Sequence, residues 1–203
     1  MFNFIPIRPR NFNYGVVFFE NFLLKEEIQY ILSLPEWHNC QQSSIGYSGN
    51  ETNKNINTNV RESFTSWMQT SPNNLPILEK ISYVVSEVNS KFFNFDLHGF
   101  YELGQLTSYT SQNKSHYDWH IDTAYGDHSA PPRKLSMSLL LSDPSEFEGG
   151  DLQVKSDSDN PLTLEQKQGR AWFFPSYMLH RVTPVTKGVR RSLVFWFGGP
   201  SFK

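Results

Sequence analysis

Residues 117–122 read Tyr117-Asp118-Trp119-His120-Ile121-Asp122, a stretch in which polar and apolar side chains alternate. A period of two is the pattern of a half-buried β-strand, so Trp119 and Ile121 share one face while Asp118, His120 and Asp122 share the other. The pattern predicts a strand over Tyr117–Ile121 that presents a histidine and a carboxylate side by side. A buried carboxylate is costly unless it is paired, so an inward His120–Asp122 pair needs a reason, and a metal ion is one. A strand end at the surface, where both groups are simply solvated, is the plain alternative.

The neighbouring sequence is of the same kind. From Asp96 onward short apolar-aromatic runs succeed one another without a long helical pattern, at Asp96–Leu103, Gln105–Thr110, Leu135–Leu141, Asp151–Val154, Leu162–Leu164, Arg170–Phe174, His180–Val185 and Arg191–Phe197. Turns are offered by Asp143-Pro144, Gly149-Gly150, Asn160-Pro161, Gln168-Gly169 and Lys187-Gly188. So many short strands in succession predict a double-sheet β-sandwich or jelly roll.

Before Phe93 the sequence is more helical. Tyr14–Phe19 reads as a buried strand, and a helix opens at Leu24 with Ile28, Ile31 and Leu32 at helical spacing before Pro35. A second helix fits Asn74 to Phe93, with Leu75, Leu78, Ile81, Val84, Val85 and Val88 on one face. Between them residues 39–59 are polar and aperiodic, a loop with a short hairpin at Ile45-Gly46-Tyr47, and residues 43–59 are a candidate lid. The chain is expected to form one domain, with residues 1–93 as a supporting region and 94–203 as the core. The fold class is mainly β with flanking helices, a double-stranded β-helix (jelly-roll) core with the N-terminal helices packed on one sheet.

Composition narrows the function. The 203 residues are 38% hydrophobic and 15% aromatic, and a net charge of -2 gives no electrostatic reason to expect nucleic-acid or membrane binding. Pro6 and Pro9 interrupt the N-terminus, so no signal peptide is expected, and no run reaches the length of a membrane span. The single cysteine, Cys40, excludes an internal disulfide and a cysteine-rich zinc site, in keeping with a cytoplasmic location.

Two imidazoles and one carboxylate form the facial triad that holds non-haem Fe(II) with positions left open. His180, beside a strand-like stretch, is the candidate third ligand for His120 and Asp122. In Arg190-Arg191, at the entry to the last strand, an inward guanidinium would need an anionic partner; if Arg190 points inward, Arg191 points out as a solvated edge charge.

With YDWHID, LSMSLLLSDPSEFEGGDL, GRAWFFPSYMLHRVTPVTKG and RRSLVFW in this order, the run from about Leu97 to Phe197 resembles the iron(II)- and 2-oxoglutarate-dependent dioxygenases, in their prolyl-4-hydroxylase-like branch. YGVVFFENFLLKEEIQYIL resembles that branch more loosely. The resemblance implies His120, Asp122 and His180 as the iron ligands and Arg190 as the clamp for the distal carboxylate of 2-oxoglutarate. It places Tyr109 near the same co-substrate, with Thr107 as substitute or helper, and Trp196 packing beside the pocket; it adds no catalytic residue beyond these ligands. It implies Fe(II) as cofactor, 2-oxoglutarate and O2 as co-substrates, ascorbate as the reductant that maintains activity, and succinate and CO2 as products. The expected substrate is a peptide or protein hydroxylated at a C–H bond; alternatives are a small molecule, or a non-catalytic jelly-roll binding protein. A jelly-roll metal enzyme that uses zinc or iron without 2-oxoglutarate would have no need of Arg190 inside the barrel. His116 and His128 are expected as exposed loop histidines, and residues 123–133 as a second candidate lid.

Overall fold

The computed structural model describes residues 15–45, 55–100, 102–123, 131–155 and 160–201. The larger of two antiparallel sheets contains β1 (Val17–Phe19), β2 (Gln41–Gln42), β4 (Phe64–Met68), β5 (Gly104–Thr110), β7 (Arg133–Leu140), β8 (Phe147–Gly149), β11 (Ala171–Pro175) and β13 (Val185–Gly198). Its order is β1-β11-β7-β13-β5-β4-β2, with β8 pairing β13. The smaller sheet has β3 (Arg61–Glu62), β6 (His116–His120), β9 (Leu152–Lys155), β10 (Leu162–Thr163) and β12 (Leu179–Val182), ordered β10-β9-β12-β6-β3.

Strand alternation sorts the large sheet into two faces. On β13, Leu193, Phe195 and Phe197 join Leu135, Met137 and Leu139 of β7 in a core against the helices. Arg190, Ser192, Val194 and Trp196 face the other way, into the space between the sheets. The helices α1 (Lys25–Leu32) and α2 (Leu75–Val88) cover the first face through Ile28, Ile31, Ile77, Leu78, Ile81, Val84, Val85 and Val88. Leu75, expected on that face, is exposed, and Ile77 takes its place. Glu27 ties the helices together: its carboxylate accepts from the Leu24 backbone N–H and from Lys80, both at 2.6 Å. The second helix ends in a π-turn over Asn89–Phe93 at Asn94, whose φ of 54° cannot continue it.

Several expected elements differ. Among the described residues of Asp96–Leu103 there is no strand: Gly99, at φ +128°, makes one isolated bridge to Gly198. His180–Val185 and Arg191–Phe197 are divided elsewhere than expected. β12 stops at Val182, and β13 runs from Val185 through Lys187-Gly188, with a register shift against β8 between Val185 and Lys187 and Gly188 held at φ +68° opposite Phe147. Phe18 and Phe19 of β1 are exposed, because β1 is an edge strand paired only with β11. Residues 61–68, not expected as strand, supply β3 to one sheet and β4 to the other, so the region before Phe93 helps build both. The hairpin expected at Ile45-Gly46-Tyr47 lies largely outside the described residues, as do parts of both candidate lids. Among the described residues no helix is long and apolar enough to cross a membrane.

Candidate metal and co-substrate site

His120 closes β6 and stands directly opposite His180 of β12 in the smaller sheet. Asp122 lies just beyond β6, where its backbone N–H bonds the Ser176 carbonyl at 2.8 Å. Asp122 Oδ1 is 3.8 Å from His120 Nε2, and Oδ2 is 3.4 Å from His180 Nε2. The three ligand atoms lie within 4.8 Å of one another, a spacing and donor set that fit a divalent transition metal.

The surroundings hold these groups in ligating form. His120 Nδ1 is 2.7 Å from the Asp118 carbonyl and His180 Nδ1 is 2.8 Å from that of Met178, so each Nδ1 carries the proton and each Nε2 lone pair faces Asp122. Burial, reinforced by His180, pushes His120 down to about 3, which leaves the imidazole neutral near pH 7. Burial alone would raise Asp122; His180, His120, a 2.7 Å hydrogen bond from Ser136 Oγ and nearby Arg133 together hold it below its ordinary value.

The strand does not continue through this site as simple alternation requires. His180 pairs with His120 but Val182 pairs with Tyr117, so β6 carries one extra residue between the two positions. This bulge turns Asp118 to solvent, against the expected inward placement, and brings Tyr117 round to the histidine. The Tyr117 and His120 rings stack at 3.4 Å and 12°. His116 is the first residue of β6, not a loop residue, and its ring nitrogens lie near the Lys114 and Asn59 carbonyls, away from the triad. His128 lies outside the described residues.

All three triad residues line a cavity of about 920 Å³ between the sheets. Across it, Arg190 stands opposite Tyr109 in the β13–β5 register, and Ser192 stands opposite Thr107. Arg190 is 4% exposed, and its guanidinium donates to Ser192 Oγ at 3.2 Å and lies 5.5 Å from the Tyr109 ring centre. Its Nε has no hydrogen-bond partner, and among the described residues no carboxylate forms an ion pair with it. Burial lowers its pKa, the signature of a cation that an incoming anion would stabilise. Gly150, at φ +65°, makes room for it: a Cβ there would stand 2.7 Å from Arg190 Cδ. Tyr109 and Thr107 are both buried, and Thr107 Oγ1 donates to Gln105 Oε1 at 3.3 Å. Arg191 does point to the opposite face, but it is half-buried 5.3 Å from the Trp37 ring centre, not a solvated edge charge. Trp196 lines the cavity beneath Arg133, whose guanidinium lies 3.8 Å from a Trp196 ring centre and pairs with Glu102.

Sequence reasoning missed Ser136, Tyr117 and Arg61. Arg61 is 9% exposed, lines the same cavity and lies 4.5 Å from the Tyr117 ring centre.

Residues 104–198, which include every one of the triad, Arg190 and Tyr109, match the 2OG-Fe(II) oxygenase superfamily. A PKHD-type hydroxylase of Synechococcus sp. (strain CC9311) is 41% identical over 87 residues, covering 42% of this chain and 38% of that protein. The chain thus spans about two fifths of the length of the curated relatives it matches. A Pseudomonas putida prolyl-4-hydroxylase structure superposes with a TM-score of 0.70 at 17% identity, covering 93% of this chain and 95% of that one. A prolyl hydroxylase from Trichoplax adhaerens, solved with a hypoxia inducible factor oxygen degradation domain peptide fragment, gives a TM-score of 0.72 at 16% identity and covers 93% and 88%. The architecture shared with the solved structures is the double-stranded β-helix, and through residues 104–198 the chain is similar to the 2OG-Fe(II) oxygenase superfamily.

Proposed function

We propose that this chain is an Fe(II)- and 2-oxoglutarate-dependent dioxygenase that hydroxylates a C–H bond of a peptide or protein. The observation that carries the proposal is the convergence of His120, Asp122 and His180 on a cavity whose far wall buries Arg190 without an anionic partner among the described residues. A zinc or iron enzyme without the keto acid leaves that guanidinium unexplained.

In this reading the two Nε2 atoms and the Asp122 carboxylate hold the metal, while Ser136 and the Met178 and Asp118 carbonyls fix the orientation of these three side chains. Arg190 takes the distal carboxylate of 2-oxoglutarate, with Tyr109 and Thr107 on the same wall. Phe174, Leu152 and Val182 line the cavity with apolar surface that limits water around the reacting groups. Bound iron, 2-oxoglutarate and dioxygen would together supply the oxidant, with succinate and CO2 as by-products and ascorbate as the external reductant. The whole chain acts as one catalytic domain, in which β1, β2 and β3 are sheet edges and β4 joins β2 to β5.

A peptide substrate is supported by the extent of the cavity, which runs from the triad past Trp67 to Gln69 and Glu36, and by the peptide bound to the Trichoplax neighbour. The test is incubation of the Fe(II)-loaded protein with 2-oxoglutarate, O2 and a library of proline-containing peptides. Gain of one oxygen atom by a peptide, matched by an equal yield of succinate, is expected. Oxygen incorporation only into small molecules, with every peptide unchanged, would overturn the peptide assignment.

A further inference from the structure

Arg61 is a second buried guanidinium on the wall of the same cavity, and the groups that accept its hydrogen bonds are all neutral. Its Nε donates to Ser63 Oγ at 3.0 Å, its Nη2 to Gln105 Oε1 at 3.0 Å and its Nη1 to the Ser44 carbonyl at 3.4 Å. Among the described residues it forms no ion pair with a carboxylate. The β3–β6 register sets it opposite Tyr117, over whose ring it lies, and Tyr117 in turn stacks on His120. One aromatic ring therefore separates this cation from a triad histidine. Arg61 and Arg190 both act electrostatically on Tyr109, so the two guanidiniums flank the same tyrosine.

A count of charges shows what is left over. In the proposed complex a divalent metal and Asp122 leave one positive charge, and Arg190 adds a second. The two carboxylates of 2-oxoglutarate neutralise both. Arg133 is paired with Glu102, and among the described residues Arg61 is a further cation on this wall with no ion-paired carboxylate. Glu36 also lines the cavity, where its carboxylate receives the backbone N–H of Gln69 and forms no ion pair with Arg61.

We infer that Arg61 is a specificity residue that receives a carboxylate of the substrate undergoing oxidation, either an acidic side chain or a free α-carboxylate. A guanidinium presents a planar fork to a carboxylate, and hydrogen bonds to a charged acceptor are stronger than those Arg61 makes to serine and glutamine. The site would then prefer an anionic substrate over its neutral isostere. This inference rests on the proposed dioxygenase reading.

The test is an anaerobic titration of acetate into the full chain loaded with Fe(II) and 2-oxoglutarate, reading paramagnetic relaxation of the acetate methyl protons. Saturable relaxation is expected with acetate and not with acetamide. Arg61→Gln should weaken acetate binding at least about tenfold, Arg61→Lys should restore part of it, and neither should disturb the visible absorption of the loaded centre. N-acetylproline and N-acetylaspartate α-amide, compared in the same assay, identify which carboxylate source fits better. Non-saturable acetate relaxation, equal effects of acetamide, or acetate binding that survives Arg61→Gln would overturn the inference. So would a loss of 2-oxoglutarate affinity in Arg61→Gln as large as that in an Arg190 variant, which would assign both guanidiniums to the keto acid. Absence of the visible band in the unsubstituted protein would instead reject the dioxygenase reading itself.

Discussion

Replacing Arg190 by methionine is expected to weaken 2-oxoglutarate binding and, in the metal-free chain, to leave stability unchanged or higher. The opposite signs follow from one fact: the guanidinium is buried with Ser192 Oγ as a hydrogen-bond acceptor and, among the described residues, no carboxylate in an ion pair with it. A carboxylate about 4 Å from it, at an effective dielectric of about 20, gains about 4 kcal/mol. Desolvation of the ligand offsets part of this, and loss of a close buried charge pair typically costs about 3 kcal/mol. That corresponds to roughly a hundredfold rise in the dissociation constant of 2-oxoglutarate. Without ligand the same cation is a liability, because burial holds its pKa below the ordinary value. Exchanging such a group for an apolar one of similar length is neutral or stabilising by about 1–4 kcal/mol. Anaerobic equilibrium titration of the Fe(II)-loaded protein measures the first effect, and urea denaturation of the metal-free protein measures the second. Arg191→Met is the control, since Arg191 packs towards Trp37 on the other face. A 2-oxoglutarate affinity within about threefold of the unsubstituted protein, or an equal loss in Arg191→Met, would refute the assignment of Arg190.

Three other substitutions or conditions probe the site. Ser136→Ala removes the 2.7 Å hydrogen bond to Asp122 and should lower Fe(II) affinity by about tenfold, measured by chelator competition; an unchanged affinity would show that Asp122 needs no such support. Tyr109→Phe should raise the dissociation constant of 2-oxoglutarate by less than about tenfold, as expected for one neutral hydrogen bond, and a larger loss than in Arg190→Met would reverse their ranking. In the metal-free protein His120 is pushed down to about 3 from 6.5, so between these values the unfolded chain binds a proton that the folded chain does not. Stability should be full above about pH 6.5 and fall as pH drops towards about 3, by up to about 1.4 kcal/mol per pH unit. Asp122 titrates below its ordinary value of 3.8 and so adds only at the acid end. Denaturation of metal-free His120→Asn should lack this slope in the upper part of the window, and identical slopes would contradict the burial of His120.

The parts of the site that were legible in the sequence are those where chemistry and chain spacing coincide. His120 and Asp122 lie two apart, and Arg190 is separated from Arg191 by strand alternation, Arg190 standing against Tyr109 and Arg191 against Ser108 in the β13–β5 register. The helices were legible because Ile28, Ile31, Ile81 and Val85 repeat at helical spacing. What escaped was set by cross-strand partners. The bulge in β6 depends on the pairing of β12 and on the bond from the Asp118 N–H to the Val60 carbonyl, neither of which is written into residues 117–122. Arg61 reaches the cavity only because β3 pairs with Tyr117 across a long sequence separation. A local signal for β4 did exist: Phe64, Thr65 and Trp67 are all strand formers, obscured by the polar run before them. Ser136 had no signal apart from its alternation with Leu135 and Met137, which marks a wall without saying what it faces.

The central claim is that His120, Asp122 and His180 hold Fe(II) and that 2-oxoglutarate binds beside it. Anaerobic addition of Fe(II) and then 2-oxoglutarate to the purified chain, followed by visible absorption, tests it most directly. The account predicts a weak charge-transfer band that saturates at one equivalent of each and is lost in His180→Ala. Absence of the band in the unsubstituted protein, or its persistence in His180→Ala, would contradict the account.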